Sequence, residues 1–156
     1  MPGAESFQSS TESLLTLGFA AQLDAWGIGT WEAEDDYTVV SVRPIYLGPD
    51  EPANAPDERI ILTVRSPRPV TGSPRTVDVP IGINWRGPAD GDQHGAIDFL
   101  GVLHRRLDHL GPRTFGSVPV NGLRRQDAGP IGRDSRRRAG ATATYLFRCR
   151  PALVNI

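Results

Sequence analysis

The chain has 156 residues, a net charge of −1 and one cysteine, Cys149. That length suits a single domain that builds a core without metal or disulfides. A lone cysteine excludes an internal disulfide framework, and no apolar run approaches the roughly 20 residues of a membrane-spanning helix. All 17 basic residues are Arg, which excludes lysine chemistry of every kind, from Schiff bases to phosphate-loop lysines.

In chain order, residues 1–9 read as a loose arm; "MPGAESFQSS" has neither the basic nor the apolar stretch of a secretory signal. "SSTE" offers a capping box, with Ser9 as N-cap and Glu12 three residues on. Leu15, Phe19, Leu23 and Trp26 follow on one helical face, so a helix is expected over residues 10–26, ended by Gly27 and Gly29. "WEAEDDY" is an acidic turn, and "YTVVSVRPIYL" reads as a strand or strand pair bent at Pro44.

The Pro-rich stretches 48–58 and 66–76 are expected as connections without regular structure, ordering on assembly. Between them "RIILTVR" is a strand. "VDVPIGINW" alternates cleanly, with Val77, Val79, Ile81, Ile83 and Trp85 on one face and Pro80 marking an edge or bulge. A second helix is expected over residues 95–110, with a stripe of Ile97, Leu100, Leu103 or His104, Leu107 and Leu110. "FGSVPVNGLRRQD" reads as a strand broken by a turn at Asn121-Gly122, and residues 141–150 as the last strand. Two helices packed on a mostly antiparallel sheet, with long Pro/Gly-rich loops, make an α+β domain over residues 10–156.

The most unusual stretch is "GPIGRDSRRRAGATATYLF", four arginines in six positions behind a Gly-Pro turn. Its glycine spacing, the lack of Lys and the strand that follows exclude a nucleotide loop. No G-x-S-x-G elbow occurs. Cys149 lies mid-strand among apolar neighbours, as an inert core cysteine does. His104 and His109 are five apart and diverge on a helix, unlike a zinc pair. Neither catalysis nor a cofactor is expected. The charge is split along the chain. Residues 1–58 carry eleven Asp or Glu against Arg43 alone, and residues 59–156 carry sixteen Arg against seven carboxylates. Arginines in such loops typically meet carboxylates, in the same fold or on a neighbour. Nucleic-acid phosphates remain a minor alternative.

The order of features resembles the tail terminator proteins of long-tailed bacteriophages. The resemblance rests on the N-terminal helix, on "YTVVSVRPIYLGPDEPANAPDERIILTV", on "VPIGINWRGP" with Arg86-Gly87 before the second helix, and on "RRQDAGPIGRDSRRRAGATATYLFR". It departs at "INW" and in the heavier triple arginine, Arg136 to Arg138. The resemblance implies a virion protein, made in the host bacterial cytoplasm, that forms a hexameric ring on the head-proximal end of the tail tube. Such a ring stops tube polymerisation and joins tail to neck. The implied partners are further copies of the chain, the tail tube protein and neck or head-completion proteins. Genomic DNA passes through the ring without sequence-specific contact, and no membrane takes part. In a head-to-tail ring an acidic and a basic face can pair at every joint. Arg133, Asp134, Arg136, Arg137 and Arg138, with Glu32, Glu34, Asp35 and Asp36, are therefore the expected contact residues. Another neck component, such as a head-completion or stopper protein, and a nucleic-acid-binding module are the alternatives.

Overall fold

The computed structural model describes residues 10–31 and 43–150. Its elements are α1 (Thr11–Ala25), β1 (Ile45–Leu47), a 3-10 turn (Gly48–Asp50), β2 (Arg59–Val64), β3 (Arg68–Val70), β4 (Ser73–Arg86), α2 (His94–Leu107), β5 (Arg113–Phe115), β6 (Val118–Ile131) and β7 (Gly140–Cys149). The strands form one curled sheet in the order β1-β2-β4-β7-β6-β5, and β3 pairs with β4 off that path. Among the named strands only β1 and β2 pair in parallel. The fold is α+β, as the alternation and the two amphipathic stretches require.

The long pairing of β4 with β7 decides the two faces of the sheet. Val79, Ile81, Ile83 and Trp85 stand opposite Phe147, Tyr145, Ala143 and Ala141, and all eight are buried. The intervening residues, Asp78, Pro80, Gly82 and Asn84 opposite Arg148, Leu146, Thr144 and Thr142, point to the other face. Both helices cover the first face. Phe19 of α1 packs edge-on against Phe147 and Phe115, with ring centroids 5.0 and 5.9 Å apart. Such aromatic pairs add about 0.5–1.5 kcal/mol each beyond their buried area.

Pro80 sits in the middle of this sheet rather than on its edge. The N–H of Arg65 donates to the Pro80 carbonyl, so the missing proline N–H faces the same side, where β2 gives way to β3. No ladder bond to β7 is lost. Residues 66–76, expected without regular structure, instead contain β3 and the start of β4. Val70 pairs with Ser73 across a tight turn in which Gly72 takes φ 79°.

The helix boundaries differ in instructive ways. Ser10, not Ser9, caps α1, accepting a hydrogen bond from the Ser13 N–H at 3.2 Å. The helix begins one residue late, which places Ser13 rather than Glu12 at the third position. Leu15, Phe19 and Leu23 are buried as the stripe requires, and Gly27 at φ 74° turns the chain away. The buried stripe of α2 is Ala96, Phe99, Leu100, Leu103 and Leu107, while Ile97 is 57% exposed. Phe99 fixes this rotation by stacking on Trp85, centroids 5.5 Å apart, which takes the place expected for Ile97. The helix ends at Leu107, before Gly111-Pro112.

Its C-terminal end is tied to the sheet by polar contacts. The Tyr145 hydroxyl donates to Asp108 at 2.7 Å, and Arg125 of β6 lies 3.5 Å from the same carboxylate and 2.7 Å from His104 Nδ1. Burial, and then the Arg125 charge, hold His104 below the usual histidine range. Burial first, and then its bond to Asp108, raise the Tyr145 phenol.

The turn expected at Asn121-Gly122 lies earlier, at Gly116-Ser117, and β6 runs on as one strand with irregularities after Val120 and after Arg125. Gly129 to Ile131, expected as a turn, continue β6 against β7. Gly116 has φ 60° and meets Gly18 of α1 backbone to backbone. A Cβ on Gly18 would stand 2.4 Å from the Gly116 nitrogen and 2.5 Å from the Phe115 carbonyl carbon. Neither backbone atom can swing aside as a side chain would. Gly18→Ala is therefore expected to destabilise the fold by about 1–3 kcal/mol, read as a lower urea midpoint with an unchanged slope.

Candidate interaction surfaces

The arginine stretch 133–138 forms the connection from β6 to β7, and its shape comes from one carboxylate. Asp134 Oδ1 accepts from the N–H groups of Arg136 and Arg138, at 3.1 and 3.0 Å. The Arg137 N–H donates to the Asp134 carbonyl at 2.9 Å, and Arg137 takes φ 58°. Short Asp-centred turns of this kind compete well with regular structure. Arg138 closes the turn, its guanidinium 2.7 Å from Asp134 Oδ2. The hydrogen bond from Arg138 is the main cause that lowers the Asp134 carboxyl to about 2.

Neighbouring loops complete this end of the sheet. Arg136 and Arg138 reach Asp57 at 3.2 and 3.6 Å, and Arg137 reaches Asp90 at 2.9 Å. Arg133 donates to the Arg137 carbonyl at 2.7 Å, and Arg86 donates to the Gly132 carbonyl at 3.2 Å. Arg59 pairs with Glu51, and Trp85 Nε1 donates to Glu58 at 3.3 Å. Three loops, before β2, after β4 and before β7, are thus laced by charge. Arg136, Arg137 and Arg138 all find carboxylates within their own chain, and Arg138 is shielded, its side chain 12% exposed. Glu32, Glu34, Asp35 and Asp36 lie outside the described residues.

A different group of arginines occupies the opposite end of the sheet, on the face without helices. Register places Arg68, Asp78 and Arg148 side by side on β3, β4 and β7. Arg148 grips Asp78 with two hydrogen bonds, at 3.1 and 3.2 Å. This bond is the first cause that raises its pKa. Arg124 of β6 stands 3.9 Å from Asp78, and Arg68 spans β4 and β7 to donate to Gln126 at 3.1 Å. The arginines roof a shallow pocket of about 140 Å³ whose lining includes Asp78, Gly122, Leu123 and Leu146. Leu146 is 5% exposed although no helix covers it. Arg65, Arg75 and Arg150 add three exposed guanidiniums at this end, with no ion pair among the described residues.

Sequence reasoning missed this second cluster because its members are spread over five stretches of chain. The alternation of Asp78 and Arg148 against their apolar neighbours was visible, but the register that makes them partners was not. Other chemistry is sparse. Cys149 is buried, with its thiol pushed up to about 11 mainly by desolvation. Among the described residues, no three His, Cys, Asp or Glu side chains could hold a metal ion, and no helix is long and apolar enough to cross a membrane. No protein-family model matches the chain, and no curated protein matches it significantly.

The Asp134 turn gives a direct titration test. An acid with a depressed native pKa contributes stability at pH values above the ordinary carboxylate range, and that contribution is lost as pH falls through about 2. NMR titration is expected to show Asp134 ionising near 2 in the native chain. In Arg138→Ala its midpoint should rise toward the ordinary Asp value of about 3.9.

Proposed function

We propose that the chain is a structural ring subunit of the phage tail terminator type, acting at the head-proximal end of a tail tube. The observation that carries this reading is a concentration of arginines at one end of the helix-free face. One end of the helix-free face gathers Arg68, Arg124 and Arg148 around the carboxylate of Asp78, and the exposed Arg65, Arg75 and Arg150 lie at the same end of the sheet. At the other end Arg136, Arg137 and Arg138 are matched by Asp57, Asp90 and Asp134. Arginines concentrated at one end of an α+β body suit an oriented contact with an acidic surface, and repeated head-to-tail contacts form a ring when their rotation closes.

The resemblance in order of features supplies the particular ring: six copies capping the tube, bridging it to neck proteins and letting DNA through. The same arginines favour a second reading, a module that grips nucleic-acid phosphates without reading bases.

The test is assembly of the full chain, observed by mass photometry and negative-stain microscopy, alone and on polymerising tail tubes. Hexameric rings that halt tube growth are the expected result. A chain that stays monomeric, leaves tubes growing and binds duplex DNA with an affinity that falls steeply with salt would select the second reading.

A further inference from the structure

We infer that the basic end of the helix-free face, built on Arg68, Arg124 and Arg148, is the docking surface for the acidic segment Glu32 to Asp36 of a second copy of this chain. The inference rests on the ring reading above and names the two surfaces that join.

Charge balance comes first. The described residues hold all 17 arginines and 13 of the 18 carboxylates, an excess of four positive charges. The remaining carboxylates are Glu5, Glu32, Glu34, Asp35 and Asp36, and four of those five fall within five consecutive residues. The excess is densest at one end of the sheet. At the 133–138 end Arg136, Arg137 and Arg138 are matched by Asp57, Asp90 and Asp134. At the other, Asp78 alone faces Arg124 and Arg148, and Arg65, Arg68, Arg75 and Arg150 have no ion pair among the described residues. Arg106 and Arg113, also without one, lie over Trp26 on the helix side.

Geometry then decides between the chain's own acidic segment and a neighbour's. The segment is tethered at Trp31 and Arg43, which flank a bridge between Thr30 and Pro44 at the β1 edge. Pro44 lies beside Ile60, which pairs with Trp85 at the 133–138 end of β4. Asp78 is seven residues back along β4, about 23 Å at 3.3 Å per residue, and Arg124 is four strand spacings across the sheet, about 19 Å. From the tether, the cluster is therefore about 25 Å away. Glu32 and Glu34 are one and three residues from Trp31, a reach of about 3 and 10 Å at full extension, and Asp36 reaches about 17 Å. The four carboxylates cannot be brought to this cluster together within one chain. A second copy can bring them, in a head-to-tail contact whose two surfaces differ, as a closed ring requires.

The experiment uses two variants of the full chain, each checked for native circular dichroism. One carries Arg65→Glu, Arg124→Glu and Arg150→Glu, all exposed, with the closer Arg148–Asp78 pair left in place. The other carries Glu32→Arg, Glu34→Arg, Asp35→Arg and Asp36→Arg. Each alone is expected to lose self-association by at least tenfold in sedimentation velocity, because like charges then meet at the joint. An equimolar mixture is expected to recover it, since acidic face meets basic segment and basic face meets acidic segment. If the arginine variant assembles as the native chain does, or the mixture fails to recover assembly, the pairing is overturned while the ring reading stands. A native chain that never self-associates overturns both. If the arginine variant loses only affinity for duplex DNA, the face belongs to nucleic acid and the pairing fails.

Discussion

The ten-residue antiparallel register of β4 with β7, Val77 to Arg86 against Cys149 to Gly140, sorts the side chains of this protein into two chemistries. Because strand residues alternate, one register fixes both faces at once. It puts Val79, Ile81, Ile83 and Trp85 with Ala143, Tyr145 and Phe147 under the helices, and it puts Asp78 beside Arg148 on the open face. A slip of one residue would bury Arg148 beneath α1 and leave Phe147 exposed. The apolar core and the arginine cluster therefore depend on the same pairing.

From that register the rest of the molecule follows by contact. Trp85, at the end of β4, receives Phe99 and so sets the rotation of α2. Phe147, near the end of β7, receives Phe19 and Phe115 and so sets α1 and the β5 turn. Beyond the sheet at one end, Asp57 and Asp134 hold Arg136 and Arg138, so that a run of arginines becomes a neutralised, ordered turn. At the other end, Asp78 is shared between Arg148 and Arg124, and Arg65, Arg75 and Arg150 stay exposed.

Much of this was legible in the sequence where periodicity is local. Alternation over residues 77–85 and 141–149 gave the central strands, and Leu15, Phe19 and Leu23 gave α1. What failed to show was long-range. Ile97 fits the helical spacing as well as Phe99 does, and only the position of Trp85 tells them apart. Pro80 reads as an edge residue until the change from β2 to β3 reveals where its nitrogen points. Arg136 and Arg137 look unpartnered in sequence because their carboxylates, Asp57 and Asp90, lie in distant loops, whereas the partner of Arg138, Asp134, is four positions away. The cluster at Asp78 is hidden for the same reason, since pairing between distant strands leaves no mark in either.

Within the subunit, charge orders the loops at one end of the sheet, and the proposed joint would use the arginines at the other. The most direct test of that division is a cryo-electron microscopy structure of the assembled chain. The account predicts residues 32–36 of one subunit lying against Arg68, Arg124 and Arg148 of the next, with the 133–138 turn closed on its own Asp134. Neighbours that instead meet through an opened 133–138 turn, with the Asp78 cluster facing solvent, would contradict it.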